Sequence, residues 1–364
     1  MPQPRPVLLM TRSLGLGGTE RQLTEIAKAL DRSQFAPHVG CFEAEGFRAE
    51  ELRAAGVPIA QFHVPSFLGP ALFTGAAAVG RYLREHAIQI VHTFDVPLNL
   101  FGVPAARFYR TPRVISSQRA FRALTPGVRR YLLRFTDRLV DAIVVNSEAV
   151  RRDLIEADHV PERLIHLCYN GIDADLFQPG ERPREDPVVI GVICALRPEK
   201  GIETLIEAFG RLGPRPDVRL RIVGSGPALP GLQGLAASLK LADRCMFEPA
   251  TLAVAETLRE IDIFVLPSLS ESFSNSLMEA MACGCCVVAS RVGGNAELIV
   301  DGETGMLFSA RDSSDLAKCL DLVLRDADLR ARLAAAGCRR IRARFTIARA
   351  AERMGEIYRG VLGG

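Results

Sequence analysis

The chain has 364 residues, with 45 Lys and Arg against 42 Asp and Glu, 48% hydrophobic residues, 31 Gly, 22 Pro and no Trp. That length suggests about two domains, and the composition excludes a disordered chain, a collagen-like repeat and a disulfide scaffold. A formal net charge of +3 is too small for the footprint of a nucleic-acid binder. Nine scattered cysteines and a start without a signal peptide lead to the expectation of a cytoplasmic protein.

Along the chain, short apolar runs alternate with helical periodicities. Strands are expected at Val7–Thr11, Pro37–Phe42, Gln89–His92, Arg113–Ser117 and Asp141–Asn146, then at Val188–Ala195, Arg219–Val223, Asp262–Leu266 and Val287–Ser290. Helices are expected at Thr19–Leu30, Ser147–Ala157, Lys200–Leu212 and Ser276–Cys283. Their order, and the doubly apolar character of the strands, predict an α/β protein with parallel, doubly wound sheets.

The first strand leads into the glycine-rich turn Ser13–Thr19, with Gly17 and Gly18 just before a helix that Thr19 and Gln22 would open as a capping box. Glycines there can bring backbone N–H groups to a phosphate, or form a turn that holds no ligand. The stretch Val57–Gly80 is uncharged with His63 neutral, but Pro58, Pro65 and Pro70 prevent a continuous spanning helix. His92, with Asp95 nearby, sits at the carboxyl end of its strand, where it reads either as a structural hydrogen-bonded residue or as a catalyst. Residues Arg119 to Arg138 carry six arginines against Asp137, interspersed with Phe121, Leu124, Tyr131, Leu132 and Phe135. This segment is expected either to cover the core with a solvated basic face or, together with the loop Phe67–Phe73, to lie on an anionic membrane surface.

The alternation pauses at Gln178–Pro187, whose Pro, Gly and charge content is that of a linker. Beyond it, Arg197 and Lys200 stand at the start of a helix, where cations can hold a diphosphate. Gly224 closes the next strand in a turn that lets a ligand run close to backbone. In Pro267–Glu279, Glu271 and Glu279 flank a helix start at Ser274–Asn275, an arrangement suited to a ligand with hydroxyls for the acids and an anion for the amides.

With these residues placed, the segment from Glu271 to Ile299, together with RPEKG, VGSGP, YNGIDADLFQP, VVNSEAV and GGTERQL, resembles glycosyltransferase family 4, the retaining family with the GT-B fold. The resemblance covers essentially the whole chain. It implies two Rossmann-like domains facing each other across a cleft. Residues 1–177 would form the acceptor domain and 178–344 the nucleotide-sugar donor domain, with a closing helix at about 345–364 returning to the first and the linker acting as a hinge. It further implies that Glu279 binds the ribose and Glu271 the donor sugar. Backbone from Phe273 through Ser274 and Asn275 to Ser276 would contact sugar and phosphate, and Lys200 would neutralise the diphosphate with help from Gly17 and Gly18.

Two positions depart from the family pattern. Ala195 stands where the family has a phosphate-binding Arg, so Arg197 is expected to take that role. No His follows the fourth strand, so Gln118 or Arg119 is expected near the acceptor, with the leaving phosphate assisting the reaction. The implied function is a metal-independent, cofactor-free transfer from a nucleoside-diphosphate sugar, a UDP-sugar above all, to a glycan or polyprenyl-linked acceptor in polysaccharide or glycoconjugate biosynthesis. The enzyme would be cytoplasmic and peripheral at the inner membrane face. A nucleotide-sugar epimerase and a non-catalytic nucleotide-sugar binder remain alternatives. The D-x-D of Asp173 and Asp175 reads as part of a junction landmark rather than a metal site, and Cys283, Cys285 and Cys286 read as packing residues. A nicotinamide dehydrogenase is disfavoured, because no acidic residue follows the glycine turn at the required distance.

Overall fold

The computed structural model describes residues 3–64, 69–125, 127–180 and 187–363. The chain divides into two compact units, one of Met1–Gly171 with Ile347–Gly364 and one of Ile172–Thr346. The compact units thus meet at Gly171, a few residues before the bound of 177 that the resemblance implied. Ile172 donates its N–H to the Phe345 carbonyl at 2.8 Å and bridges to Thr346, which fixes where the second unit begins and ends. Most of the proline-rich stretch, residues 181–186, lies outside the described residues, as do Pro65 and Phe67.

The first unit holds a seven-stranded sheet of β1 (Arg5–Ser13), β2 (Phe35–Glu43), β3 (Ile59–Gln61), β4 (Ile90–Thr93), β5 (Arg113–Gln118), β6 (Ala142–Val145) and β7 (Ile165–Leu167). Their order is β3-β2-β1-β4-β5-β6-β7, and every pairing is parallel. Alternating residues of β1 serve opposite layers. Val7 and Leu9 join one core cluster, Leu8 and Met10 the other, so the strand is apolar on both sides. The final helix, Ile347–Gly363, contributes Ala350, Ala351, Met354, Ile357 and Tyr358 to the first of these clusters.

The second unit holds β8 (Val188–Ile193), β9 (Val218–Val223), β10 (Cys245–Glu248), β11 (Ile263–Leu266), β12 (Cys286–Ser290) and β13 (Met306–Phe308), ordered β10-β9-β8-β11-β12-β13 and again parallel. Its core gathers Ile190, Val192, Leu220, Ile222, Val265 and Val288 from the strands with Leu205, Ile206 and Phe209 from the helix Ile202–Arg211. All nine strands expected from sequence exist, with ends moved by a few residues. The four that sequence reading missed are β3, β7, β10 and β13, the edges of both sheets. They run three or four residues and are only partly buried, so they carry neither the length nor the apolar run that marks an interior strand. Val57–Gly80 yields a helix from Pro70 to Glu85, and among the described residues no helix is long and apolar enough to cross a membrane.

Candidate functional site

In the second unit the chain leaves β8 for β9 on one side and returns with β11 on the other. Open parallel sheets bind ligands outside the carboxyl ends of their strands at such a reversal. Lys200 ends the short turn Pro198–Lys200 after β8, and Glu271 lies in the loop after β11. Lys200 Nζ donates to Glu271 Oε2 at 2.7 Å, and Ser268 Oγ donates to the same oxygen at 3.1 Å. The Lys200 and Glu271 side chains are 22% and 13% exposed, shielded enough to strengthen the pair and open enough to exchange it.

Backbone geometry forces this meeting. Gly201 sits at φ +61°, and a Cβ there would lie 2.4 Å from the Pro267 carbonyl oxygen. Only glycine both adopts that conformation readily and lets the two loops touch. Leu269 N–H then donates to the Glu199 carbonyl at 2.8 Å, joining the loops one residue from Lys200 and two from Glu271. Ser268, which orients Glu271, escaped the sequence reading; its only signal was its place so soon after β11.

The helix expected at Ser276–Cys283 spans Asn275–Ala282. Ser274 caps it, accepting from Leu277 N–H at 3.2 Å, and its hydroxyl lies 3.1 Å from that of Ser276. By helix geometry the first-turn amides point out of the N-terminus, where the helix dipole favours an anion. Asn275 and Ser276 are half-buried. Glu279, one turn in, is 6% exposed, and Phe273 is 3% exposed with its ring tilted against Phe345 at 5.5 Å. The Phe273 ring therefore belongs to the core.

Arg197 has a 63% exposed side chain and reaches Glu199 only at 3.9 Å, so it is loosely held at the same sheet edge. At Gly224 (φ +155°) a Cβ would meet the Cys194 carbonyl at 1.9 Å. The close backbone approach expected of a ligand there is made by the protein's own β8 loop. Asp173 Oδ1 accepts from the N–H groups of Asp175 and Leu176, a local turn, and Cys283, Cys285 and Cys286 are buried. Burial pushes the thiols of Cys283 and Cys286 up to about 12.

The first unit places the three residues expected on the acceptor side. His92 is wholly buried, with Nδ1 2.8 Å from Tyr358 Oη and Nε2 2.8 Å from Ser117 Oγ. Burial, then the nearby Arg119 charge, pushes it down to about 3, and both nitrogens are occupied. It ties the final helix to the sheet and has no free nitrogen for an acceptor. Gln118 is also buried, donating to the Ala120 carbonyl at 2.6 Å and accepting from Arg122 Nε at 3.2 Å, so it shapes the loop after β5. Arg119 donates to Asn170 Oδ1 and lies 5.6 Å over the Phe94 ring, and burial pushes its guanidinium down to about 10. It stays charged at neutral pH.

The expected capping box is absent. Gly17 is the N-cap and the helix starts at Gly18. Gln22 instead exchanges two hydrogen bonds with the Gly171 backbone, at 2.9 and 3.0 Å. The Glu20 carboxylate folds over the helix start, so close that a Cβ on Gly17 would fall 2.1 Å from Oε2. A carboxylate at the positive helix end is electrostatically favourable.

Two parallel α/β units in one chain fit the GT-B fold. The family model for Glycosyltransferase Family 4 matches residues 16–176, and that for Glycosyl transferases group 1 matches residues 173–340. The chain belongs to this glycosyltransferase family. The D-inositol 3-phosphate glycosyltransferase of Stackebrandtia nassauensis is 35% identical over 57% of this chain and 51% of its own length. The protein of the same name from Mycobacteroides abscessus is 34% identical over 50% and 44%. The chain thus spans about half the length of the curated relatives it matches. In three dimensions it is similar to HepE of Anabaena in complex with UDP (TM-score 0.86, 22% identity, 98% of this chain and 100% of that one). It is also similar to sucrose-phosphate synthase of Thermosynechococcus elongatus (TM-score 0.84, 21% identity, 99% of each).

Proposed function

We propose that this protein is a retaining glycosyltransferase that moves a sugar from a UDP-sugar to a hydroxyl of a glycan or lipid-linked acceptor. The observation that carries the reading is the Lys200–Glu271 pair at the switch point of the second sheet, beside the N-terminus of the helix Asn275–Ala282. HepE, similar in fold, has been crystallised with UDP and with UDP-glucose, which supports a uridine donor. Lys200, beside the positive end of that helix, would take the diphosphate, Glu279 the ribose, and Glu271 the sugar hydroxyls once Lys200 turns from it to the phosphate. Arg197 would swing onto the departing diphosphate, stabilising charge that grows in the transition state. Lys200, Arg197 and the positive helix end supply the neutralisation that a divalent ion gives other transferases, so we propose that the reaction proceeds without a metal. The acceptor hydroxyl would enter on the face the diphosphate leaves, as retention requires.

The test is a panel of nucleotide sugars scored by thermal shift and slow donor hydrolysis, with and without EDTA, on the protein and on Lys200→Ala. A UDP-sugar should raise the melting temperature and be hydrolysed in EDTA, with both effects lost in the variant. Equal responses from protein and variant would overturn the site. An epimerised sugar released from donor alone would replace transfer with epimerisation.

A further inference from the structure

The arginine-rich segment folds in a way its sequence leaves open. Within the helix Val128–Thr136, Val128, Tyr131, Leu132 and Phe135 are 67, 69, 46 and 57% exposed, with Leu124 at 60% just before it. Their spacing of three, four and seven residues makes one stripe, and that stripe faces outward. Polar ties on the opposite side hold it there. Arg130 and Arg134 both donate to Asp158 Oδ1, at 3.2 and 3.0 Å, and the Asp158 side chain is fully buried. Arg122, 1% exposed, makes a two-point pair with Asp137 at 2.7 and 2.8 Å. Rolling the stripe inward would leave buried charges unpaired, so the apolar face is locked outside. Arg129 and Arg138 flank it, exposed and with no ion pair among the described residues.

We propose that this helix docks the first unit on an anionic lipid surface, with Val128, Tyr131, Leu132 and Phe135 entering the headgroup boundary and Arg129 and Arg138 resting on the headgroups. An exposed apolar stripe of this extent marks an interaction surface, and its charge selects the occupant. Flanking arginines complement anionic lipid, whereas a second copy meeting this face symmetrically would set arginine against arginine. Since no described helix can span a bilayer, the contact is peripheral. The proposal is independent of the donor site.

Co-sedimentation of the full chain tests it, using vesicles of phosphatidylcholine with phosphatidylglycerol and vesicles of phosphatidylcholine alone. The protein should pellet with the anionic vesicles at low salt and release as salt rises. Leu132→Asp with Phe135→Asp should weaken binding at least about tenfold, because it removes apolar insertion and adds charge. Arg129→Glu with Arg138→Glu should weaken it by about tenfold or more and remove the preference for anionic lipid. All four side chains are exposed and outside the donor site, so the UDP-sugar thermal shift should persist and report an intact fold. Failure of the unaltered protein to bind anionic vesicles overturns the proposal, as does unchanged binding by both double variants. A dimer in light scattering that the variants convert to monomer, without lipid binding, assigns the stripe to a second copy.

Discussion

The two sheets reverse strand order in the same way, between β1 and β4 in the first unit and between β8 and β11 in the second, yet they treat that point differently. In the first, Asp95 closes it. Its Oδ2 accepts from Arg12 N–H at 2.6 Å and Thr11 Oγ1 at 3.1 Å, while Oδ1 caps the helix Val96–Phe108 through Leu98 N–H at 2.9 Å. Every partner is backbone or hydroxyl, and the neighbouring His92 is saturated by Tyr358 and Ser117. In the second, Glu271 is held by a lysine ammonium and a serine hydroxyl, partners that can turn to a ligand. A carboxylate at a switch point is therefore not in itself a site. It becomes one where its partners can be exchanged without breaking the fold.

The sharpest test of this contrast is to remove charge at the second switch point. Lys200→Ala and Glu279→Ala should each lower kcat/KM by about 10²–10³-fold, as expected when a group meeting developing charge or a donor hydroxyl is lost. Full activity in both would erase the distinction. His92→Ala should do the reverse. Urea unfolding should show about 2–4 kcal/mol of lost stability, from the vacated ring volume and two hydroxyls left unpaired. Transfer per folded molecule should change little, and a collapse in kcat with unaltered stability would restore His92 to the chemistry.

The same residue predicts an acid response. His92 titrates at about 3 in the fold against the ordinary histidine value of 6.5, so on acidification the unfolded chain takes up its proton first. Its stabilisation is full above 6.5 and is lost as pH falls towards 3, by up to about 1.4 kcal/mol per pH unit. His92→Gln should flatten that slope in unfolding curves recorded across this window. The smallest effect belongs to a pair remote from either switch point. Arg151→Ala, which removes the bond to Glu162 with its 67% exposed side chain, should cost about 0–1 kcal/mol in the same assay.

Much of the local structure around the second unit's candidate site was legible because its residues are close in sequence. Ser274, Asn275 and Glu279 belong to one helix and its cap, and Gly201 announces a turn by its residue type alone. The first unit was harder to read for the opposite reason. Nothing near His92 indicates that Tyr358, 266 positions later, occupies its Nδ1. Similarly, Gln22 looked like a capping residue until its partner proved to be the Gly171 backbone. The arginine segment shows the same limit. Its composition and period were plain, but which face turned outward depended on Asp158, which lies beyond it in the chain.

By itself, the sequence determined the parallel α/β order, nine interior strands and the charged loops after β8 and β11. Those features follow from apolar periodicity and from turn residues acting over a few positions. Only the tertiary structure decided the edge strands, the burial of His92 and Gln118, the division at Gly171 and the outward stripe of the helix Val128–Thr136. Each depends on a hydrogen bond or a packing contact between residues distant in the chain, and exposure is a property of such contacts rather than of residue type.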